Sequence, residues 1–79
     1  MKGKILIVDD HADFRQMLKL HLEDGNTVTE AANGAELQVA FGQEQPDVVL
    51  LDVKLPDGNG LDLLPIVKKR WPGTEVIIR

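Results

Sequence analysis

With 79 residues and no cysteine, the chain is long enough for one small domain and cannot form disulfides, thiolate metal sites or a thiol nucleophile. Its formal net charge of −4 argues against a nucleic-acid-binding surface, because phosphate backbones attract basic proteins. The apolar run at residues 5–8 is too short for a signal peptide or a membrane span, so we expect a soluble, cytoplasmic globular domain.

Strand-like and helix-like patterns alternate along the chain. Unbroken apolar runs such as residues 5–8 predict strands buried on both faces of a sheet. Asn33 and Glu36 have the spacing of a capping box that opens a helix, and Gly25 stands where a helix ends. The predicted elements are a strand at 4–8, a helix at 12–24, a strand at 27–30, a helix at 34–42, a strand at 47–52, a helix at 59–70 and a strand at 75–79. This order predicts a parallel sheet with helices on both faces.

Three carboxylates stand at the ends of two predicted inner strands. Asp9 and Asp10 directly follow the first strand, and Asp52 ends the third. Ligands bind outside the carboxyl ends of parallel strands, so these side chains are expected to meet if the two strands are neighbours. Carboxylates that close repel one another unless a cation is present, and oxygen ligands suit Mg²⁺. A strand-end Asp alone is more often a cap or turn former, but three together favour a site.

Magnesium and a carboxylate together suit phosphate chemistry. The ion neutralises charge on phosphoryl oxygens as they transfer. A carboxylate that faces it can be the nucleophile and form an acyl phosphate.

The segment "ILIVDD", followed later by "VVLLDVKLPDGNGLDLL", resembles the receiver domain of two-component response regulators. The resemblance implies a flavodoxin-like (CheY-like) doubly wound α/β fold, with the four strands in the order 2-1-3-4. It also implies that Asp52 is the phosphoacceptor, which takes a phosphoryl group from a sensor histidine kinase or a phosphotransfer protein.

The same resemblance implies a magnesium site and a shaped loop. Asp9, Asp10 and Asp52 match the acidic residues that hold Mg²⁺, and Lys54 would supply its backbone carbonyl to the ion. Pro56 and Gly60 match positions that shape the loop leading into the third helix.

Receiver domains continue beyond a fourth strand, whereas this sequence stops at Arg79. The family adds a Ser or Thr at the end of that strand and a fifth strand that ends in Lys. The resemblance therefore implies a truncated domain with an impaired switch, in which the strand at 75–79 is an open edge and part of a sheet face is uncovered. Such surfaces favour association, so we expect a homodimer through this edge or face.

Two other functions share features with this sequence. Dehalogenase-type phosphatases and phosphotransferases also use a strand-end Asp, but they need a second Asp two positions later, where this chain has Lys54. We therefore predict a signalling module that is not an enzyme and binds neither nucleic acid nor membrane. The alternative is a structural half-domain that associates with itself and transfers no phosphate.

Several other residues have ordinary structural interpretations. His11, beside the acidic pair, is interpreted as a loop residue rather than as a donor to phosphate or metal. His21 is expected to pack on the apolar face of the first helix, and Leu61 on that of the third. Trp71 is interpreted as a packing residue.

Overall fold

In the computed structural model, which describes residues 3–79, a parallel sheet and three helices follow the predicted alternation. The elements are β1 (Lys4–Val8), α1 (Ala12–Leu22), β2 (Thr27–Ala31), α2 (Gly34–Ala40), β3 (Val48–Leu51), β4 (Lys54–Leu55), β5 (Gly58–Asn59), α3 (Gly60–Arg70) and β6 (Glu75–Ile78). No helix among these residues is long and apolar enough to cross a membrane.

The main sheet has the order β2-β1-β3-β6, and every neighbouring pair is parallel. This confirms the predicted doubly wound fold and its strand order, with β6 as the fourth predicted strand. β1 and β3 are adjacent, and Val8 lies opposite Leu51. The amide of Asp52 donates to the carbonyl of Val8 over 2.9 Å, so the residues that follow the two strands start side by side.

Each inner strand is apolar on both faces because helices cover both. One face packs against α2 and α3 in the main core, which includes Leu6, Val8, Leu37, Val49, Leu51, Val67 and Trp71. The opposite face carries Ile7 and Leu50, which share an apolar groove with Phe14 and Leu18 of α1. None of the residues in α1 is fully buried, so this face is covered less completely than the other.

The ends of several elements differ from the predicted bounds by one or two residues. α1 ends at Leu22 because the Asn26 side chain donates to the Leu22 carbonyl over 2.7 Å and Gly25 takes a φ of 95°. α2 ends at Ala40, where the next amides bond to carbonyls three residues back in a tighter turn. At the other boundaries, β2 runs one residue further, to Ala31; β3 covers 48–51 rather than 47–52; α3 starts at 60 rather than 59; and β6 stops at 78 rather than 79.

Three local features differ from the sequence expectations. The segment predicted as a loop after Asp52 contains a small antiparallel hairpin, in which β4 pairs with β5. His21 is exposed and its ring bonds to the Met17 carbonyl, so the packing role predicted for it is wrong. Leu61 is also exposed, and Leu63 packs against the core from α3 instead.

Candidate functional site

Three carboxylates meet at the carboxyl ends of β1 and β3. Asp9 is 2% exposed and Asp52 is 8% exposed, whereas Asp10 is open to solvent. Together with His11 they offer four ligand atoms that all lie within 4.8 Å of one another. The structure therefore brings together the three acidic residues that the sequence singled out.

Asp9 is held by hydrogen bonds and charge from several directions. Its Oδ1 accepts hydrogen bonds from the His11 amide and ring, each at 2.8 Å, and its Oδ2 accepts from the Arg79 guanidinium. Arg15 donates to its backbone carbonyl over 2.5 Å. Burial alone would raise the pKa of Asp9, but the His11 hydrogen bonds and the Arg79 charge outweigh it and lower that pKa. The carboxyl group is therefore ionised at neutral pH.

Asp52 has one carboxylate oxygen bound to the backbone and the other turned towards a cation. Its Oδ1 accepts from the Lys54 amide over 3.1 Å. Its Oδ2 lies 3.9 Å from Nη1 of Arg79. The local turn thus fixes the orientation of the carboxylate, and no backbone amide of residues 3–79 donates to Oδ2.

The loop after Asp52 closes tightly on the Asp52 backbone. A Cβ at Gly60 would lie 2.0 Å from the Asp52 carbonyl oxygen, a distance that no side chain tolerates. The Gly60 amide also donates to the Val53 carbonyl over 2.6 Å. Only glycine fits at this position, so α3 begins in direct contact with the backbone that carries the central carboxylate.

A second contact joins this loop to α2. The two carboxylate oxygens of Asp57, in the turn between β4 and β5, accept from the amides of Gly34 and Ala35 at 2.8 and 3.0 Å. These hydrogen bonds lower the pKa of Asp57. The hairpin is therefore tied to the amino end of α2 as well as to the start of α3.

Two residues of the cluster were not identified as site residues from the sequence. The sequence favours a loop role for His11, but its Nδ1 lies 2.8 Å from Asp9 and 3.1 Å from Asp10. The hydrogen bond to Asp9 and the charge of Asp10 raise the pKa of His11. Arg79 follows β6 and reaches back to Asp9. Its position after an apolar strand, at the same sheet edge as the carboxylates, was the available signal.

Other residues of interest lie away from the cluster. Trp71 lines a cavity with Lys4 and Pro46 at the amino ends of the strands, so its fluorescence is a poor reporter of the acidic site. Lys68 donates to the Thr74 carbonyl, also at that end. Lys54, by contrast, lies beside Asp52, to which its amide donates; its side chain is exposed, and a role for its carbonyl in metal binding stays a prediction.

The donor set fits Mg²⁺. Its carboxylates offer oxygen ligands, two of the three are buried, and all of them lie close enough to share one ion. Carboxylates this close together repel one another, which favours the binding of a cation. The exposed side of Asp10 leaves room for the water ligands that Mg²⁺ usually keeps.

The response regulator receiver domain family model matches residues 5–79. The chain is 37% identical over 78 residues to the DNA-binding transcriptional regulator NtrC of Proteus hauseri, covering 98% of this chain and 16% of that protein. It is 36% identical over 77 residues to the chemotaxis protein CheY of Listeria monocytogenes, covering 95% and 65%. The chain therefore spans less than two thirds of the length of either relative.

A similar solved structure is a response regulator protein from Burkholderia pseudomallei that contains a phosphorylated aspartic acid, a calcium ion and citrate. The TM-score is 0.90 at 26% sequence identity, and the match covers 95% of this chain and 45% of that one.

Proposed function

Because the chain belongs to the response regulator receiver domain family, we propose that Asp52 is its phosphoacceptor in two-component signalling. One observation carries the assignment. Asp52 is a nearly buried carboxylate at the carboxyl end of an inner parallel strand, and its ligand atom lies within 4.8 Å of those of Asp9 and Asp10. The phosphorylated aspartate reported in the Burkholderia protein supports the same chemistry.

The carboxylate of Asp52 is oriented for nucleophilic attack. The Lys54 amide holds Oδ1, so Oδ2 is the oxygen available to a phosphoryl donor. In the proposed step, Oδ2 forms a bond to phosphorus while the bond between phosphorus and the donor's leaving atom breaks. The leaving group keeps the electron pair, and the product is an acyl phosphate on Asp52.

Receiver domains bind Mg²⁺ through acidic residues. In this chain, Asp9, Asp10 and Asp52, with the Lys54 carbonyl, are the proposed ligands. When bound, the ion neutralises negative charge on the transferring phosphoryl oxygens. The His11 hydrogen bonds keep the Asp9 carboxylate ionised, and the hydrogen bond from Arg15 to the Asp9 carbonyl holds the backbone in position for this role.

Receiver domains interact with histidine kinases, and the proposed donor for this chain is the phosphohistidine of a sensor kinase or a phosphotransfer protein. Asp52 is 8% exposed, so a small part of its surface is open to a phosphoryl donor. Asp10 and His11 are the exposed members of the cluster, so an approaching donor would meet them.

The proposal is tested by incubation with Mg²⁺ and acetyl phosphate, followed by intact-mass spectrometry. We expect the chain to gain the mass of one phosphoryl group and Asp52→Asn to gain none. Asp62→Asn is the matched control, because it removes the same charge from an exposed position on α3 and should leave phosphorylation unchanged. Equal labelling of the parent chain and Asp52→Asn, or no labelling of any of the three proteins, would contradict the proposal and favour a structural half-domain.

A separate observation supports self-association of the 79-residue chain. β6 is the last strand on one side of the described sheet, and Ile77 and Ile78 are 48% and 39% exposed. They border the apolar groove of about 320 Å³ that Phe14 and Leu18 line from α1. Apolar surface beside an open strand edge favours pairing with a second copy.

A further inference from the structure

Arg79 is fixed in the acidic site by three kinds of contact. Its amide donates to the Leu51 carbonyl over 2.9 Å, which continues the pairing of β6 with β3. Its guanidinium carbon lies 3.8 Å from the centre of the Phe14 ring. The same guanidinium donates to Oδ2 of Asp9 and lies 3.9 Å from Oδ2 of Asp52.

These contacts put a permanent positive charge between the two buried carboxylates. The guanidinium of arginine is a planar cation that suits both a carboxylate and an aromatic face. Asp9 is almost fully buried, so its charge requires a partner. Arg79 supplies that partner from the open side of the site, since its own side chain is half exposed.

A divalent cation would use the same carboxylate oxygens. A guanidinium and a divalent ion repel each other strongly at such short range, and a single Asp9 Oδ2 cannot face both closely. Mg²⁺ binding therefore requires Arg79 to leave Asp9. The contact between the guanidinium and the Phe14 ring is separate from the one with Asp9, so it can be kept when the guanidinium leaves the carboxylate.

We propose that Arg79 is a positioning residue that acts as the internal counter-ion of the acidic site and competes with Mg²⁺ for Asp9 and Asp52. The proposal rests on the Mg²⁺ site of the proposed function and adds a determinant of its affinity. In the absence of the ion, Arg79 keeps Asp9 ionised and oriented. The cost of displacing Arg79 weakens Mg²⁺ binding, so the site fills only when the ion is abundant.

The test is a titration with Mg²⁺ at neutral pH and fixed ionic strength. The backbone amide NMR signals of Asp9, Asp10 and Asp52 are recorded at each Mg²⁺ concentration and give the affinity. We expect Arg79→Gln to bind Mg²⁺ about tenfold more tightly than the parent chain, because one nearby positive charge is removed. Arg79→Lys keeps the charge but loses the planar fork, so its affinity should fall between the two.

Arg70→Gln is the matched control. Arg70 is exposed in the last turn of α3, about 15 Å along the helix from Gly60, and the substitution makes the same change in net charge. Its Mg²⁺ affinity should stay within about twofold of that of the parent chain, since salt screens charges at such distances. Equal affinity of Arg79→Gln and Arg70→Gln, or weaker binding by Arg79→Gln, would overturn the proposal.

A second readout is direct. The side-chain Nε–H signal of Arg79 in the parent chain should shift as Mg²⁺ saturates the site. If this signal stayed unchanged while the Asp9 and Asp52 amides responded, the guanidinium would not move on Mg²⁺ binding. That result would overturn the role of Arg79 but leave the proposed function standing. If no amide of the parent chain responded to Mg²⁺, the metal site of the proposed function would fail first.

Discussion

At the scale of single residues, the site depends on a glycine, Gly60, as much as on the carboxylates. Gly60 lets the first turn of α3 lie against the Asp52 carbonyl, where a Cβ would be 2.0 Å from the oxygen. The atoms it would meet are all backbone, which cannot rotate away as the end of a flexible side chain can. A larger residue must therefore move either α3 or the strand end that carries Asp52.

We expect Gly60→Ala to lower the free energy of unfolding by about 1–3 kcal/mol, the usual range for overpacking. Urea denaturation of the parent chain and the variant measures this difference. Gly42→Ala is the matched control, because a Cβ there meets only the Val39 carbonyl at 3.6 Å, an ordinary contact. If both variants were equally stable, the close approach at Gly60 would not constrain the loop.

The sequence predicted the meeting of Asp9, Asp10 and Asp52 because parallel strands place their carboxyl ends at one edge. That argument needs only strand order and the position of each residue after its strand. The contacts of His11 and Arg79 depend instead on the direction of long side chains across the crevice. No periodic pattern encodes that direction, so the contacts that these two residues make with Asp9 became visible only in the structure.

At the scale of elements, Asp57 connects the β4–β5 hairpin to α2. α2 has seven residues and would be marginal alone, so the hydrogen bonds at its first turn matter. Asn33 accepts from the Glu36 amide over 2.8 Å, as the predicted capping box requires. Glu36 in turn accepts from Ala32, one residue before the cap, and Asp57 satisfies the remaining amides of Gly34 and Ala35.

This connection makes the stability of the folded chain depend on pH. The pKa of Asp57 is lower in the folded chain than the usual value near 3.9, because the Gly34 and Ala35 amides stabilise its charged form. Its contribution is therefore present above about pH 4 and is lost as the pH falls towards the folded pKa. We expect Asp57→Asn to be less stable than the parent chain at neutral pH, and the difference to shrink in acid.

Urea denaturation at a series of pH values measures that difference. Asp62→Asn serves as the control because Asp62 is an exposed aspartate on the neighbouring helix. If the difference in free energy of unfolding between Asp57→Asn and the parent chain stayed constant from neutral pH to strong acid, the ionised Asp57 carboxylate would not be what stabilises the start of α2.

Sequence patterns did not predict the β4–β5 hairpin or the positions at which α1 and α2 end. β4 and β5 have two residues each, which is too few for an alternating pattern, and the close packing of Gly60 on Asp52 holds them in place. The end of α1 lies two residues earlier than predicted, because the side chain of Asn26, four residues further on, bonds to the Leu22 carbonyl. Both effects come from contacts that form only after the chain has turned.

At the scale of the whole molecule, the two sides of the sheet differ in cover. α2 and α3 seal one side, whereas α1 leaves an apolar groove beside β6 on the other. We expect the 79-residue chain to form dimers at micromolar concentration and Ile77→Lys to shift it to monomers, because a charge at the groove cannot be buried without a partner. Light scattering coupled to size-exclusion chromatography measures the mass.

Leu20→Lys provides the comparison for this substitution. Leu20 is 67% exposed on α1 and does not line the groove, so its replacement should leave the dimer intact. A compact, cooperatively folded monomer of the parent chain at micromolar concentration would show that the groove does not drive association.

The requirement at Gly60 also has a genetic consequence. Any change at the first or second base of a glycine codon encodes a residue with a Cβ or a stop signal, and changes at the third base are silent. No single-base substitution can therefore replace Gly60 without forcing an atom towards the Asp52 carbonyl. In a library of random point mutants selected for folding, this codon should accumulate synonymous changes and lose nearly all others.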